Sequence, residues 1–132
     1  MSGFDPILIG EIKKYIENNI SKVDEKMTEE LLQREEEITK KIAKMKIDPE
    51  AQEKAKIFLD ILRARKEKGF SADPEAIRLI TFALYYLIKK HDLIPDWHPI
   101  VGYDDDAAMV NYVYNEVVST IADFKKWQKE QG

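Results

Sequence analysis

Apolar residues recur along this chain at helical spacing, and no segment alternates convincingly as a strand does. In the first segment, from about Asp5 to Lys26, Leu8, Ile12, Tyr15, Ile16, Asn19, Ile20 and Val23 fall on one side. Thr28 then reads as an N-cap, with Glu29 and Glu30 in the first turn and Met27 placed to staple against Leu32. The second predicted helix, to about Lys46, has a thin stripe of Leu31, Ile38, Ile42 and Met45. Its other faces are acidic and basic, with Glu36/Lys40 and Glu37/Lys41 at the favourable i,i+4 spacing.

The later boundaries are written in capping chemistry. Asp48-Pro49-Glu50-Ala51 and Asp73-Pro74-Glu75-Ala76 repeat one signature, a carboxylate at the N-cap followed by proline at the first helical position. The third helix therefore runs from Pro49 to about Lys68 and stops at Gly69, a residue suited to a left-handed C-terminal turn, with Phe70 beyond it. The fourth, Pro74 to about Lys90, is apolar almost all round and belongs at the centre of a bundle. A fifth starts among Asp104 to Asp106 and runs to about Lys129, presenting Val110, Val113, Tyr114, Val117, Ile121 and Phe124. About thirteen residues join the last two helices, near the upper limit for a connector in a compact domain. Leu93, Ile94, Trp97, Ile100 and Val101 give it apolar anchors, so it is expected to be an ordered loop folded onto the bundle.

The fold class is thus all-α, a compact bundle of about five helices. Residues 1–47 are expected as a helical arm and 48–132 as the core, together one structural domain. Composition narrows the function. The chain has 132 residues, a net charge of −4 and no cysteine. The acidic balance argues against nucleic acid as a partner, because phosphate neutralisation needs a basic face. Lacking cysteine, the chain has neither thiolate nucleophiles nor Cys-ligated metal, and it suits a reducing cytoplasm. The N-terminus lacks the basic-then-apolar layout of a secretory signal, and no run reaches the ~18 apolar residues of a membrane span. The expected localisation is cytoplasmic.

The stretch "KHDLIPDWHPIVGYDDD", residues 90–106, holds both histidines and five aspartates. Asp92, Leu93, Ile94, Pro95, Asp96, Pro99, Gly102, Asp105 and Asp106 resemble, in register, the signature of the YkvA-like family, a bacterial and archaeal domain of unknown function. The resemblance implies a helical core from about Asp48 and singles out this loop, and it brings no established reaction. Members often occur beside membrane segments. Here Lys90 replaces a usual proline, and His91, His98 and Asp104 stand where the family tends to be apolar, which turns the loop toward water or a polar partner.

The loop has a structural reading and a chemical one. Structurally, Asp96 suits an Asx-turn, the prolines fix chain direction, Gly102 supplies an unusual backbone angle, and Asp104–Asp106 meet a helix N-terminus. Chemically, His91, Asp92, Asp96, Asp105 and Asp106 are candidate ligands for Mg²⁺ or another divalent ion, although no cofactor is established. The His91-Asp92 dyad is similar to that of the HD phosphohydrolases, but the further upstream histidine those enzymes need is missing. The spacing is not that of an EF-hand. Ser2, Ser21, Ser71 and Ser119 form no nucleophile elbow, and the five glycines form no phosphate loop. Phe82, Tyr85, Tyr86, Tyr112 and Tyr114 suit either a ligand pocket or, more commonly at this spacing, core.

Three functions follow as expectations. The leading one is a non-enzymatic protein-interaction module with an acidic recognition loop, pairing with a protein partner or a second copy through the N-terminal helices. The rival is a divalent-metal-dependent, phosphohydrolase-like hydrolase using the loop aspartates. The third is peripheral membrane association, against which the acidic charge and polar loop count.

Overall fold

The computed structural model describes residues 6–45, 48–89 and 105–131. They form α1 (Pro6–Asn19), a 3-10 turn (Ile20–Lys22), α2 (Glu25–Gln33), α3 (Glu35–Ala43), α4 (Pro49–Glu67), α5 (Pro74–Lys89), α6 (Asp105–Glu116) and α7 (Val118–Gln131). The all-helical expectation holds among the described residues. The count does not: seven α-helices stand where five were expected.

Each extra break has a local cause. Val23 is extended (φ −85°, ψ 125°), and the Asp24 carboxylate accepts from the Met27 amide at 3.0 Å, so Asp24 caps α2 and the first helix cannot run on to Lys26. Thr28 is therefore inside α2 and not its cap. At Arg34 (φ −106°, ψ 27°) the amide divides its bond between the carbonyls of Glu30 (3.1 Å) and Leu31 (2.9 Å), which ends α2 before α3 begins. Val117 repeats the device between α6 and α7, donating to Val113 at 3.0 Å and Tyr114 at 3.2 Å. In both places the helical pattern resumes one residue later, so the apolar periodicity passes through undisturbed.

The capping boundaries stand where the composition puts them. Asp48 accepts from the Ala51 amide at 3.0 Å with Pro49 at the head of α4, and α5 starts at Pro74. Gly69 adopts φ +73°, and this turn lets the Phe70 amide donate back to the Ala64 carbonyl at 3.2 Å. Phe70 then packs on Phe124 and Trp127 of α7, with ring centroids 5.2 and 5.3 Å away. A β-carbon at Gly69 would meet no atom within 4 Å, so the cost of Gly69→Ala is conformational alone. About 1–2 kcal/mol is expected for a left-handed non-glycine residue. Thermal unfolding checks it; an unchanged or raised Tm would show that the turn does not require glycine.

The core centres on α5, which buries Ala76, Ile77, Ile80, Phe82, Ala83, Leu84, Tyr86 and Leu87 and packs against α2, α3, α4 and α6. The N-terminal helices enter the same core. Ile12, Ile16, Val23, Leu31, Ile38, Ile42 and Met45 belong to one apolar cluster with Phe58, Leu62 and Met109. The thin stripe of the second predicted helix is thus buried within the chain, and the residues of α2 and α3 left exposed are mainly charged. Glu37 pairs with Arg34 at 2.8 Å, and not with Lys41. Arg65 grips Glu25 through two bonds of 2.6 and 2.9 Å, and Arg63 pairs with Glu35, fastening α4 to α2 and α3. The Arg65 bonds hold the Glu25 carboxyl below the ordinary carboxylate range. Being largely exposed, such pairs add little stability.

Candidate functional site

Two adjacent helices frame the acidic stretch. α5 ends at Lys89 and α6 begins at Asp105, and the two pack against each other. Burial of α5 on nearly every side, and of Ala107, Ala108, Met109, Val110 and Val113 on α6, sets both of these helices in the core. His91, Asp92, Leu93, Ile94, Pro95, Asp96, Pro99 and Gly102, with His98 and Asp104, lie outside the described residues. Asp105 opens α6 as expected, but its side chain is outside the described set too.

Asp106 is therefore the candidate acid whose surroundings can be read. It is half-buried in the first turn of α6, and its Oδ2 lies 3.6 Å from Nζ of Lys41 on α3. The helix N-terminus favours the negative charge and the lysine offsets it. The lysine that faces this acid thus comes from a helix 65 residues earlier in the chain. Among the described residues no group of three or more acids and histidines converges as a metal site.

A second polar link runs beside it. The Asp48 carboxylate caps α4 through one oxygen and accepts from the Asn111 amide through the other at 3.4 Å. Asn111 in turn accepts from Lys54 Nζ at 2.8 Å, and that ammonium sits 4.8 Å from the Tyr114 ring centroid. Together with Lys41–Asp106, this chain ties the first half of α6 to α3 and to the N-terminal part of α4. Lys54 and Asn111 were not singled out by the sequence pattern, and Lys41 was read only as an i,i+4 partner of Glu37. On a charged helix Lys41 looks like any other surface lysine, and only the tertiary packing identifies its partner.

The aromatic group divides. Phe82 and Tyr86 are buried, while Tyr85, Tyr112 and Tyr114 are half-buried. Phe82, Tyr85 and Tyr86 border a small cavity shared with the N-terminal helices, and Tyr114 packs on Phe58 with centroids 6.3 Å apart. A wider cleft between α4 and α7 is bordered by Asp60, Arg63, Phe124 and Trp127. Desolvation raises the Asp60 pKa there, partly countered by Arg63.

Comparison with known proteins bears on the same two helices. Residues 76–112 match the model of a family described as a protein of unknown function (DUF1232). The chain is also similar to "Uncharacterized membrane protein YkvA" of Bacillus subtilis (strain 168), with 25% identity over 72 residues, 54% of this chain and 68% of that protein. No solved structure matches. No helix among the described residues is long and apolar enough to cross a membrane.

Proposed function

We propose, for a chain whose residues 76–112 place it with the YkvA-like proteins of unknown function, that it is a helical interaction module. In this reading α5 and α6 are a stem, and the connector carrying Asp92, Asp96, Asp105 and Asp106 is the surface a protein partner recognises. One observation carries the reading: the family match begins in one core helix, ends in the next and takes in the connector between them. The apolar part of that match is explained by burial. The acidic part needs another explanation, and recognition supplies one. A loop anchored at both ends in a packed core loses less freedom on binding than a loop on a mobile arm. The acids favour a partner with a basic surface.

The test places a photo-crosslinking amino acid at Trp97 in the connector and, as a control, at Lys125 on the exposed side of α7. A discrete protein adduct is expected from position 97 and none from position 125, with the adduct reduced by an Asp92→Asn/Asp96→Asn variant. Equal labelling at both positions, or an adduct indifferent to the two aspartates, would remove the support for a recognition loop. The name of the Bacillus relative favours a second reading, association with a membrane surface. Flotation of the protein with phosphatidylglycerol vesicles, lost when the connector is replaced by a glycine–serine linker of equal length, would put that reading first.

A further inference from the structure

Between α1, the 3-10 turn, α2 and α5 lies a cavity of about 130 Å³. Its walls are Tyr15, Val23, Met27, Phe82 and Tyr86, with Asn19 and Lys22 also at its border. The rings are set at angles to one another. Tyr15 meets Phe82 at 5.6 Å between centroids with planes 51° apart, and Tyr86 at 5.8 Å with planes 74° apart. Such walls offer both faces and edges, the two ways in which aromatic rings prefer to meet. The cleft opens to solvent beside Lys22, and its volume is on the scale of one aromatic ring, for which apolar cavities of roughly 150 Å³ suffice.

Charge narrows the guest further. Among the described residues Lys22 is the single ionised one bordering the cavity. It is exposed, and its Nζ lies 3.5 Å from the Asn19 side-chain oxygen. An ammonium carries three donors, and this long contact engages one of them. Asn19 is itself held by a 2.7 Å bond from its amide to the Tyr15 carbonyl, so the oxygen beside Lys22 is fixed in place. Burial raises the Tyr15 pKa, which keeps the phenol neutral and adds no negative charge to the wall.

We propose that this cavity binds a small aromatic carboxylate, with the ring among Tyr15, Phe82 and Tyr86 and the carboxylate at Lys22. A longer acyl chain exceeds the volume, and a cationic ring would meet Lys22. The site is composite: Phe82 and Tyr86 come from the family segment, whereas Tyr15, Lys22 and Met27 come from the N-terminal helices. The proposal does not rest on the interaction reading.

The test titrates the whole chain with benzoate, benzyl alcohol and acetate, following binding by NMR shift changes. Benzoate is expected to bind, benzyl alcohol to bind more weakly and acetate not at all, with the shifts confined to residues around Tyr15, Met27 and Tyr86. Lys22→Met should weaken benzoate by about fivefold, the scale of an exposed ion pair, and leave benzyl alcohol unchanged. Met27→Trp, which fills the cavity from a half-buried position, should abolish both. Acetate competing with benzoate, shifts elsewhere on the molecule, or an unaltered benzoate affinity in Lys22→Met would overturn the proposal. Because Lys22 is exposed, that variant remains informative even where the tryptophan variant fails to fold.

Discussion

Ile38→Ala is expected to destabilise the protein by about 2–5 kcal/mol, the range for truncating a buried aliphatic side chain to alanine. Ile38 belongs to the thin apolar stripe of the second predicted helix. Yet its exposure is 0%, and α3 packs on both α4 and α5. The three lost carbons, an ethyl and a methyl group, would leave a cavity facing the central helix, which the surrounding close-packed core can fill only in part. Glu36→Ala, two residues away and exposed, serves as the control and should change stability by no more than about 0.5 kcal/mol. Urea denaturation checks the pair: the midpoint falls for Ile38→Ala while the slope is preserved. A loss below about 1 kcal/mol would mean that the N-terminal helices ride on the core as a detachable cover, with the real core confined to residues beyond Asp48.

That contrast shows which parts of the fold can be read without coordinates. Asp48-Pro49, Asp73-Pro74 and Gly69-Phe70 mark helix ends by chemistry confined to four or five neighbouring residues, so they are legible directly. The breaks at Arg34 and Val117 leave no such mark. At each, one amide shares two carbonyls and the helix resumes, so Leu31 and Ile38 keep a spacing of seven residues that fits a continuous helix equally well. Asp24 and Thr28 were exchanged because both residue types cap helices, and only packing tells which is outside the core. Of the candidate site, the acidic stretch stood out because its residues are adjacent in the chain, and it lies within residues 76–112 of the family match. The Lys41 partner of Asp106 did not stand out, since nothing local distinguishes a lysine that reaches another helix from one that reaches water. The reading of Phe82 and Tyr86 as either core or pocket wall proves to be a false choice, because both side chains are buried and both border the cavity.

Thr81→Val is expected to cost about 1–3 kcal/mol, whereas the double variant Thr28→Val/Thr81→Val should be much closer to the parent. The two hydroxyls lie 2.8 Å apart in the buried contact between α2 and α5, with exposures of 2% and 0%. Valine matches threonine in shape, so the single variant deletes a polar atom without opening a cavity. It leaves the Thr28 hydroxyl buried with only a long 3.5 Å contact to the Asp24 carbonyl, and that loss of solvation is the cost. Removing both hydroxyls removes the unpaired group as well. The cycle therefore predicts strong coupling: the two single losses should sum to well over the double. Additive losses would show that the hydroxyls do not depend on one another. Strong coupling would give the pair a role that apolar burial cannot fill. Valine and leucine surfaces tolerate a helix sliding along its neighbour, but two hydroxyls 2.8 Å apart bond in one register only. That register fixes α2 on α5, and with it the relation of the N-terminal helices to residues 76–112, the segment matched by the family model.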